Sequence, residues 1–534
     1  MRTAEFDSLV DRFLKEHLVR RVWDRAVTAW GPTEPATLAS MRNRLGWLDA
    51  PSIMPASLDQ VRALADEVRR EHISSVYLLG MGGSSLCAEV IRAVYGVAPG
   101  YPELFVLDTT DDETLASVAS RLDTERALFI VASKSGTTIE IASMERYFWQ
   151  MMQAARGGRA GGHFVAVTDP GTALAGLARE RGYRATFVNP PDIGGRFSAL
   201  SLFGLVPAAL IGAPVADLLN AGGAMAAGCR EERPTNAGLE LGAFMGAAAS
   251  AGRDKLTVLL PHSLASLGLW IEQLVAESTG KRGRGLLPVV DEPLGAAYGR
   301  DRAFVAVETE DERLDRTALE ALKDAGHPIF RIRTRHDALG AEFFRWEFAT
   351  AIAGAALQVN PFDEPNVTEA KDRTKALLAA FERDRRLPDE RAAGAADVRR
   401  IVESLRDGDY FAVLSYLPPE SPTHSVIDEL RVAVRSRGYA TTVGIGPRYL
   451  HSTGQYHKGG PDTGVFLIIT ADDRTTTMIP GAAYSFSTLK RAQALGDYQA
   501  LAAHGRRVAR VHLSGTDHAQ ALESFVADAL AARH

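Results

Sequence analysis

Cysteine is nearly absent. Cys87 and Cys229 are the only two in 534 residues, and they form no CxxC pair, which excludes a disulfide-stapled secreted domain and a structural zinc site. A reducing cytoplasm is the expected compartment. Lys and Arg form no block long enough to track a phosphate backbone, and 60 basic against 66 acidic side chains leave a net charge of -6. Nucleic acid is therefore not an expected partner. The N-terminus lacks the apolar run of a signal peptide, because Phe6, Leu9, Val10, Phe13, Leu14 and Leu18 are interleaved with charges at amphipathic helix spacing. One uncharged stretch, residues 197–216, has about the length that spans a bilayer, but Ser198, Ser201, Pro207 and Pro214 mark it as a buried core helix. No membrane partner is expected. What remains is ordinary: 46% apolar and 24% charged residues, in a chain long enough for three or four average domains or fewer large α/β ones.

From about residue 75 the pattern switches repeatedly between short apolar runs and longer amphipathic segments, as in a parallel sheet with crossover helices. SSVYLLG, ELFVLD, ALFIVAS and HFVAVT read as strands of one unit, and KLTVLLP, FVAVE and IFRIR as strands of another. Helices are predicted from about Ser84 to Tyr95, from Ile139 to Met152, and up to about Lys281. YFAVLSYL, VFLIIT and RVARVHL then return as a small sheet after a charged helical stretch, residues 368–405. The expected fold is α/β: a helical segment (1–54), two doubly wound, mainly parallel-sheet domains in tandem (55–215 and 216–370), and a helical and small-sheet C-terminal extension (371–534). By composition, PRYLHSTGQYHKGGPDTG and PPESPT (418–423) read as surface loops.

Two loops have the chemistry of anion sites. GMGGSS (80–85), with Gly83 and Ser84, follows a strand and opens a helix, where free N–H groups and the helix dipole attract a phosphate. A dinucleotide fingerprint would want Gly or Ala in place of Ser85, although Asp108 at the next strand end imitates the ribose-binding acid. The second loop, SKSGTT (133–138), places the hydroxyls of Ser133, Ser135, Thr137 and Thr138 and the Lys134 ammonium within six residues. One hydroxyl suffices for an N-cap, and the spacing is not that of a nucleotide P-loop, so the implied ligand is one phosphate monoester with no obligate Mg²⁺.

These loops, with GGRFS (194–198), ESTGK (277–281) and NPFDEPNVTEAK (360–371), resemble the motifs of the glucose-6-phosphate isomerase family in the family's own order. That family is built from two sugar-isomerase (SIS) domains. The resemblance is closest to the isomerase portion of proteins in which transaldolase is fused to this isomerase, through HSTGQYHKGGP (451–461), and no transaldolase barrel precedes it in this chain. It implies interconversion of glucose 6-phosphate and fructose 6-phosphate through a cis-enediolate, without metal or organic cofactor.

Moving a carbonyl between C1 and C2 needs a base that removes a carbon-bound proton and is shielded from water. Glu277 suits it, on the helix SLGLWIEQLVAES, with Gln273 one i,i+4 step away beside an apolar stripe of Leu267, Trp270, Ile271, Leu274 and Val275. Arg196, in a Gly-Gly-Arg turn, can stabilise the enediolate oxygen, a role the family assigns to its counterpart. The resemblance also implies a Lys and a His for ring opening: Lys371 stands at the family's Lys position, and His451 belongs to a HSTGQ that lies after both motifs it should fall between. His457 competes with it, and a metal reading of His451, His457 and Asp462 is a further option. Departures are Thr368 and Glu369 in place of the family's Glu-X pair, and Glu364 at a position usually Gln. Because the family takes the His from a neighbouring subunit, the resemblance also implies a homodimer. A broader aldose and ketose phosphate range including mannose 6-phosphate, a non-catalytic sugar-phosphate sensor and an NAD-linked dehydrogenase are the competing readings.

Overall fold

Thirteen strands form three sheets in the computed structural model, which describes residues 4–292, 297–388, 391–418 and 421–530. The first sheet holds β1 (Ser75–Leu79), β2 (Glu103–Leu107), β3 (Ala127–Ala132), β4 (Phe164–Thr168) and β5 (Ala185–Val188), in the order β2-β1-β3-β4-β5. The second holds β6 (Lys255–Leu259), β7 (Leu287–Val289), β8 (Arg302–Glu308) and β9 (Ile329–Arg333), ordered β7-β6-β8-β9. The third holds β10 (Tyr410–Ser415), β11 (Ala440–Ile445), β12 (Gly464–Ala471) and β13 (Arg507–Leu513), ordered β11-β10-β12-β13. Every pairing is parallel. The C-terminal region thus repeats the doubly wound order of the other two sheets.

The central strands β3, β4, β8 and β12 are buried at every residue and mainly apolar, and the charged Arg302 that opens β8 is paired with Glu292. β5, β7 and β11 are absent from the pattern read above, and all three are edge strands. Val188 at the end of β5 is half exposed, as suits a strand with one neighbour, whereas β7 is buried but only three residues long, too short to show a strand pattern. The stretch 197–216 is indeed core, but the helix proper is only Leu202–Leu210, ending before the turn at Gly212. Among the described residues no helix is long and apolar enough to cross a membrane.

The boundary expected at 370 falls inside helix Pro365–Asp384, which packs against helix Phe486–Ala503. Leu377, Leu378, Phe486, Leu489 and Leu495 join Phe129, Phe148 and Phe164 in one apolar cluster on the first sheet. At about 1.5–3 kcal/mol per buried side chain of this size, the C-terminal lobe is docked and not merely tethered. On its other side, Ala276, Leu287 and Val289 pack with Tyr410, Tyr449 and Phe466 of that lobe.

The segment 447–464, expected at the surface, lies inside this junction. It forms a 3-10 turn, Arg448–His451, and a short helix, Gly454–Gly459, in which Tyr449, Gln455, Tyr456, His457 and Lys458 are all buried. Its polar groups carry partners: Lys458 Nζ lies 2.5 Å from Asp497, and His457 Nδ1 lies 2.9 Å from the Tyr410 hydroxyl. Its glycines serve close packing, since a Cβ on Gly459 would stand 2.7 Å from the Gly280 carbonyl. Of the other expected loop, 418–423, residues 419 and 420 lie outside the described residues.

Candidate active site

The loops after β1 and β3 leave adjacent strands where the strand order of the first sheet reverses, the usual place for a ligand in such sheets. Gly82 has φ +55°, and a Cβ there would come within 2.7 Å of Gln273 Nε2 and 2.9 Å of the His451 carbonyl. A Cβ on Gly83 would stand 2.0 Å from the Gly195 carbonyl. These glycines therefore let three distant segments converge. A Cβ on Gly195 would meet nothing within 4 Å, which leaves the space beside Arg196 free. Asp108 takes no ribose-like position, because Arg448 holds both its oxygens at 2.7 and 2.8 Å.

A cavity of about 110 Å³ adjoins the SKSGTT loop. Ser135, Thr137 and Thr138 line one part of it, and Lys371 and Lys375, one helical turn apart, line another. Ser135 and Thr137 hydroxyls lie 3.0 Å apart, so both can turn to a single anion. Five residues expected to bind substrate are not on this lining: Gly83, Ser84, Ser133, Lys134 and Gln273, the last of which is bound to Glu277 and the His451 carbonyl. Gly83 is spent on the close approach of Gly195, and Ser84 is buried in the 3-10 turn Gly82–Ser84. Ser133 accepts the Gly136 N–H at 3.1 Å and so shapes the loop from within. The Lys134 ammonium is bound by the Asp169 carboxylate and by the Pro191 carbonyl at 2.8 Å.

Beside the cavity lies a buried charge cluster. Arg196 Nη1 donates to Glu277 Oε1 at 3.2 Å and to Glu364 Oε2 at 3.1 Å, Nε donates to Ser278 Oγ at 2.8 Å, and Nη2 donates to the carbonyls of Pro361 and Asp363. Gln273 Nε2 donates to Glu277 Oε2 at 3.1 Å and to the His451 carbonyl at 2.8 Å, joining the cluster to the cavity. Burial holds Glu277 above the ordinary glutamate value; Arg196 opposes this and Glu364 adds to it. Burial also acts to raise Glu364, but Arg196 and Arg44 outweigh it, so Glu364 sits below its usual value and keeps its charge. A carboxylate with raised basicity beside a guanidinium is suited to moving a carbon-bound proton. Lys281 of ESTGK anchors this loop: its Nζ lies 2.9 Å from Asp363, and burial depresses it to about 8.

His451 lines the cavity, and its Nε2 lies 3.0 Å from Glu140 Oε1. Burial would raise Glu140, but its contact with His451 outweighs this and leaves it ionised below the usual range. Nε2 is then assigned as the protonated nitrogen, which leaves Nδ1 with a lone pair able to accept a proton. His457 is a different case: burial drives its pKa well below the usual value, and its ring packs among Tyr410, Tyr449 and Phe466. Asp462 pairs with Arg506 at 2.8 Å. His451, His457 and Asp462 thus have separate partners.

The family model for phosphoglucose isomerase matches residues 43–286. A glucose-6-phosphate isomerase of Rubrobacter xylanophilus is 30% identical over 391 residues, covering 62% of this chain and 89% of the relative. This chain belongs to the phosphoglucose isomerase family. A glucose-6-phosphate isomerase of Carboxydothermus hydrogenoformans is 26% identical over 440 residues, 70% of this chain and 94% of the relative. Among solved structures, a glucose-6-phosphate isomerase of Chlamydia trachomatis shares the fold with a TM-score of 0.55 at 17% identity, over 71% of this chain and 86% of that one. A hypothetical protein of Thermus thermophilus does so with a TM-score of 0.59 at 24% identity, over 70% of this chain and 97% of that one.

Besides Lys375, three polar residues of this phosphoglucose isomerase family member escaped the sequence reading. Glu140 had a signal, a carboxylate two residues past SKSGTT in the first turn of a helix. Gln455, the last residue of HSTGQ, donates to the Gly280 carbonyl at 2.9 Å and to Asn366 Oδ1 at 2.8 Å, stitching the third sheet's loop to two family motifs. Gln493, on helix Phe486–Ala503, had no local signal at all.

Proposed function

We propose that this chain interconverts glucose 6-phosphate and fructose 6-phosphate, with Glu277 as the proton-moving base. The observation that carries the reading is the buried Glu277 carboxylate held between Arg196 and Gln273, with His451 joined to the same Gln273. The substrate phosphate is held by the hydroxyls of Ser135, Thr137 and Thr138, with the charges of Lys371 and Lys375 on the facing helix. Ring opening follows when His451 takes the proton of the anomeric hydroxyl and Lys371 gives one to the ring oxygen, so that the C–O bond breaks and the carbonyl forms. Glu277 then removes the proton from C2 of the aldose, the electron pair moves onto the carbonyl oxygen, and Arg196 stabilises the resulting enediolate. The O2 hydroxyl proton passes to O1, which moves the charge to O2; the C2 carbonyl then forms as the electron pair of the C1–C2 double bond takes the proton back from Glu277 at C1. No metal or organic cofactor enters these steps. The test is formation of glucose 6-phosphate from fructose 6-phosphate by pure protein with chelator present; folded protein without turnover would overturn the reading.

Two substitutions separate binding from ring opening. Replacing Ser135, Thr137 and Thr138 together by Ala removes three donors to an anion, and at about 1.5–3 kcal/mol for each hydrogen bond to a charge it should weaken phosphate-bearing ligands by several kcal/mol. Calorimetry with fructose 6-phosphate, and inhibition of the wild type by inorganic phosphate, check this; normal binding by the triple variant would place the phosphate elsewhere. His451→Ala should slow turnover of cyclic sugar at least about 10²-fold, as loss of a general base does, while phosphate inhibition stays unchanged. His457→Ala is the comparison, since its ring lies in the core, and should act on stability instead.

A homodimer and a cytoplasmic location are part of the proposal, the first from the family resemblance and the second from two unpaired cysteines, as is kinship to fusion proteins through HSTGQYHKGGP. His451 and Glu277 belong to one chain, so activity per chain should hold when any dimer is diluted to monomers. Sedimentation and assay over the same concentration range check this.

A further inference from the structure

We infer that Gln493 of the C-terminal lobe is a positioning residue for ring opening: it fixes the Glu140 carboxylate that orients His451, and Thr110 in turn fixes the Gln493 amide. The inference rests on the ring-opening role of His451 proposed above. Gln493 Nε2 donates to Glu140 Oε1 at 2.7 Å, and this oxygen is the one 3.0 Å from His451 Nε2. On its other side the amide carbonyl accepts the Thr110 hydroxyl at 2.9 Å. A flipped amide would set its carbonyl against the carboxylate, so the orientation is fixed, and Thr110 supplies the matching donor. Gln493 and Thr110 are buried to 2% and 0% exposure, in surroundings where a polar side chain without partners is costly and a satisfied network is rigid.

The members come from separate parts of the chain. Thr110 follows β2 of the first sheet, Glu140 opens the helix after the SKSGTT loop, and Gln493 arrives on helix Phe486–Ala503. Glu140 itself is held only at its backbone by helix Ile139–Arg156; its carboxylate stands between His451 and Gln493. Without Gln493 the carboxylate would lose the donor opposite the imidazole. It would then be held by His451 alone, and its ionised form would be less favoured. The other groups that act on Glu140 are His451 and Lys371 of the cavity and the Tyr416 hydroxyl of the third sheet. A change at Gln493 leaves all three in place.

Ring opening can be read without isomerisation, because opening and reclosing the ring exchanges the sugar's anomers. In a Glu277→Gln background, anomer exchange of fructose 6-phosphate measured by carbon-13 exchange spectroscopy should stay above the uncatalysed rate. Adding Gln493→Leu should lower it about 10- to 100-fold, the worth of one hydrogen bond to a charge, and should move the acid limb of exchange up by about one to two pH units. Thr110→Val should act in the same direction with a smaller loss. Inhibition of the single Gln493→Leu variant by inorganic phosphate should match the wild type, which reports that the cavity is folded. Unchanged exchange and an unchanged acid limb in Gln493→Leu would overturn the inference alone, as would a loss of phosphate binding equal to the loss of exchange. Absence of catalysed anomer exchange in wild type and Glu277→Gln alike would overturn the His451 assignment and this inference with it.

Discussion

Glu277→Gln should lower kcat by about 10²- to 10⁴-fold, the usual cost of removing a general base, while leaving the binding of phosphate-bearing ligands intact. Gln preserves the side-chain volume in a buried site, and its amide oxygen can still accept from Arg196. What it cannot do is take a proton from carbon. The decisive measurement is exchange of the C2 proton with deuterium from solvent, which should vanish; retained exchange would assign the base elsewhere. The pH profile of the wild type carries the same information. Burial places Glu277 above the ~4.3 of a free glutamate, so turnover should be lost as the pH falls through that raised value and the base becomes protonated. Because Glu364 contributes to that rise, Glu364→Gln should move the acid limb to lower pH.

Arg196→Met should be damaging in two separable ways. The guanidinium stands between the buried Glu277 and the half-buried Glu364 and satisfies two backbone carbonyls and one hydroxyl as well. Its removal leaves the buried Glu277 and the half-buried Glu364 side by side without their cation, and breaking a buried pair such as Arg196–Glu277 typically costs about 3–5 kcal/mol. Glu277 should then titrate still higher, since its main lowering influence is gone. The reaction would also lose the charge facing the enediolate, a further ~10²- to 10³-fold in kcat. Denaturant unfolding measures the first effect and kcat the second. Arg196→Lys keeps a positive charge but not the forked geometry, so it should recover part of the stability and little of the rate. Wild-type kcat in Arg196→Lys would show that charge alone suffices.

Local chemistry made much of this protein legible from its residues. Central strands such as ALFIVA and VFLIIT declare themselves because a strand covered on both faces reads as a nearly continuous apolar run. Glu277 and Gln273 were readable as a pair because a helix sets residues four apart on one edge, and their 3.1 Å contact follows from that period. GMGGSS and SKSGTT announce anion-binding turns by backbone freedom and hydroxyl density, which are also local properties.

Partnership is not local, and there the tertiary structure decided. Lys134 has every local mark of a phosphate ligand, yet Asp169, which follows β4, takes its ammonium. Segment 447–464 has the composition of an exposed loop, yet docking of the third sheet buries it and finds partners for its polar groups. His451 stands out of the expected motif order because order along the chain does not constrain position in space once a whole lobe can fold back. It meets Glu140 across 311 residues, and Glu140 meets Gln493 across 353. No spacing rule extends over such separations: helix and strand periods fix neighbours within a few residues, whereas contacts between sheets depend on which apolar faces bury each other.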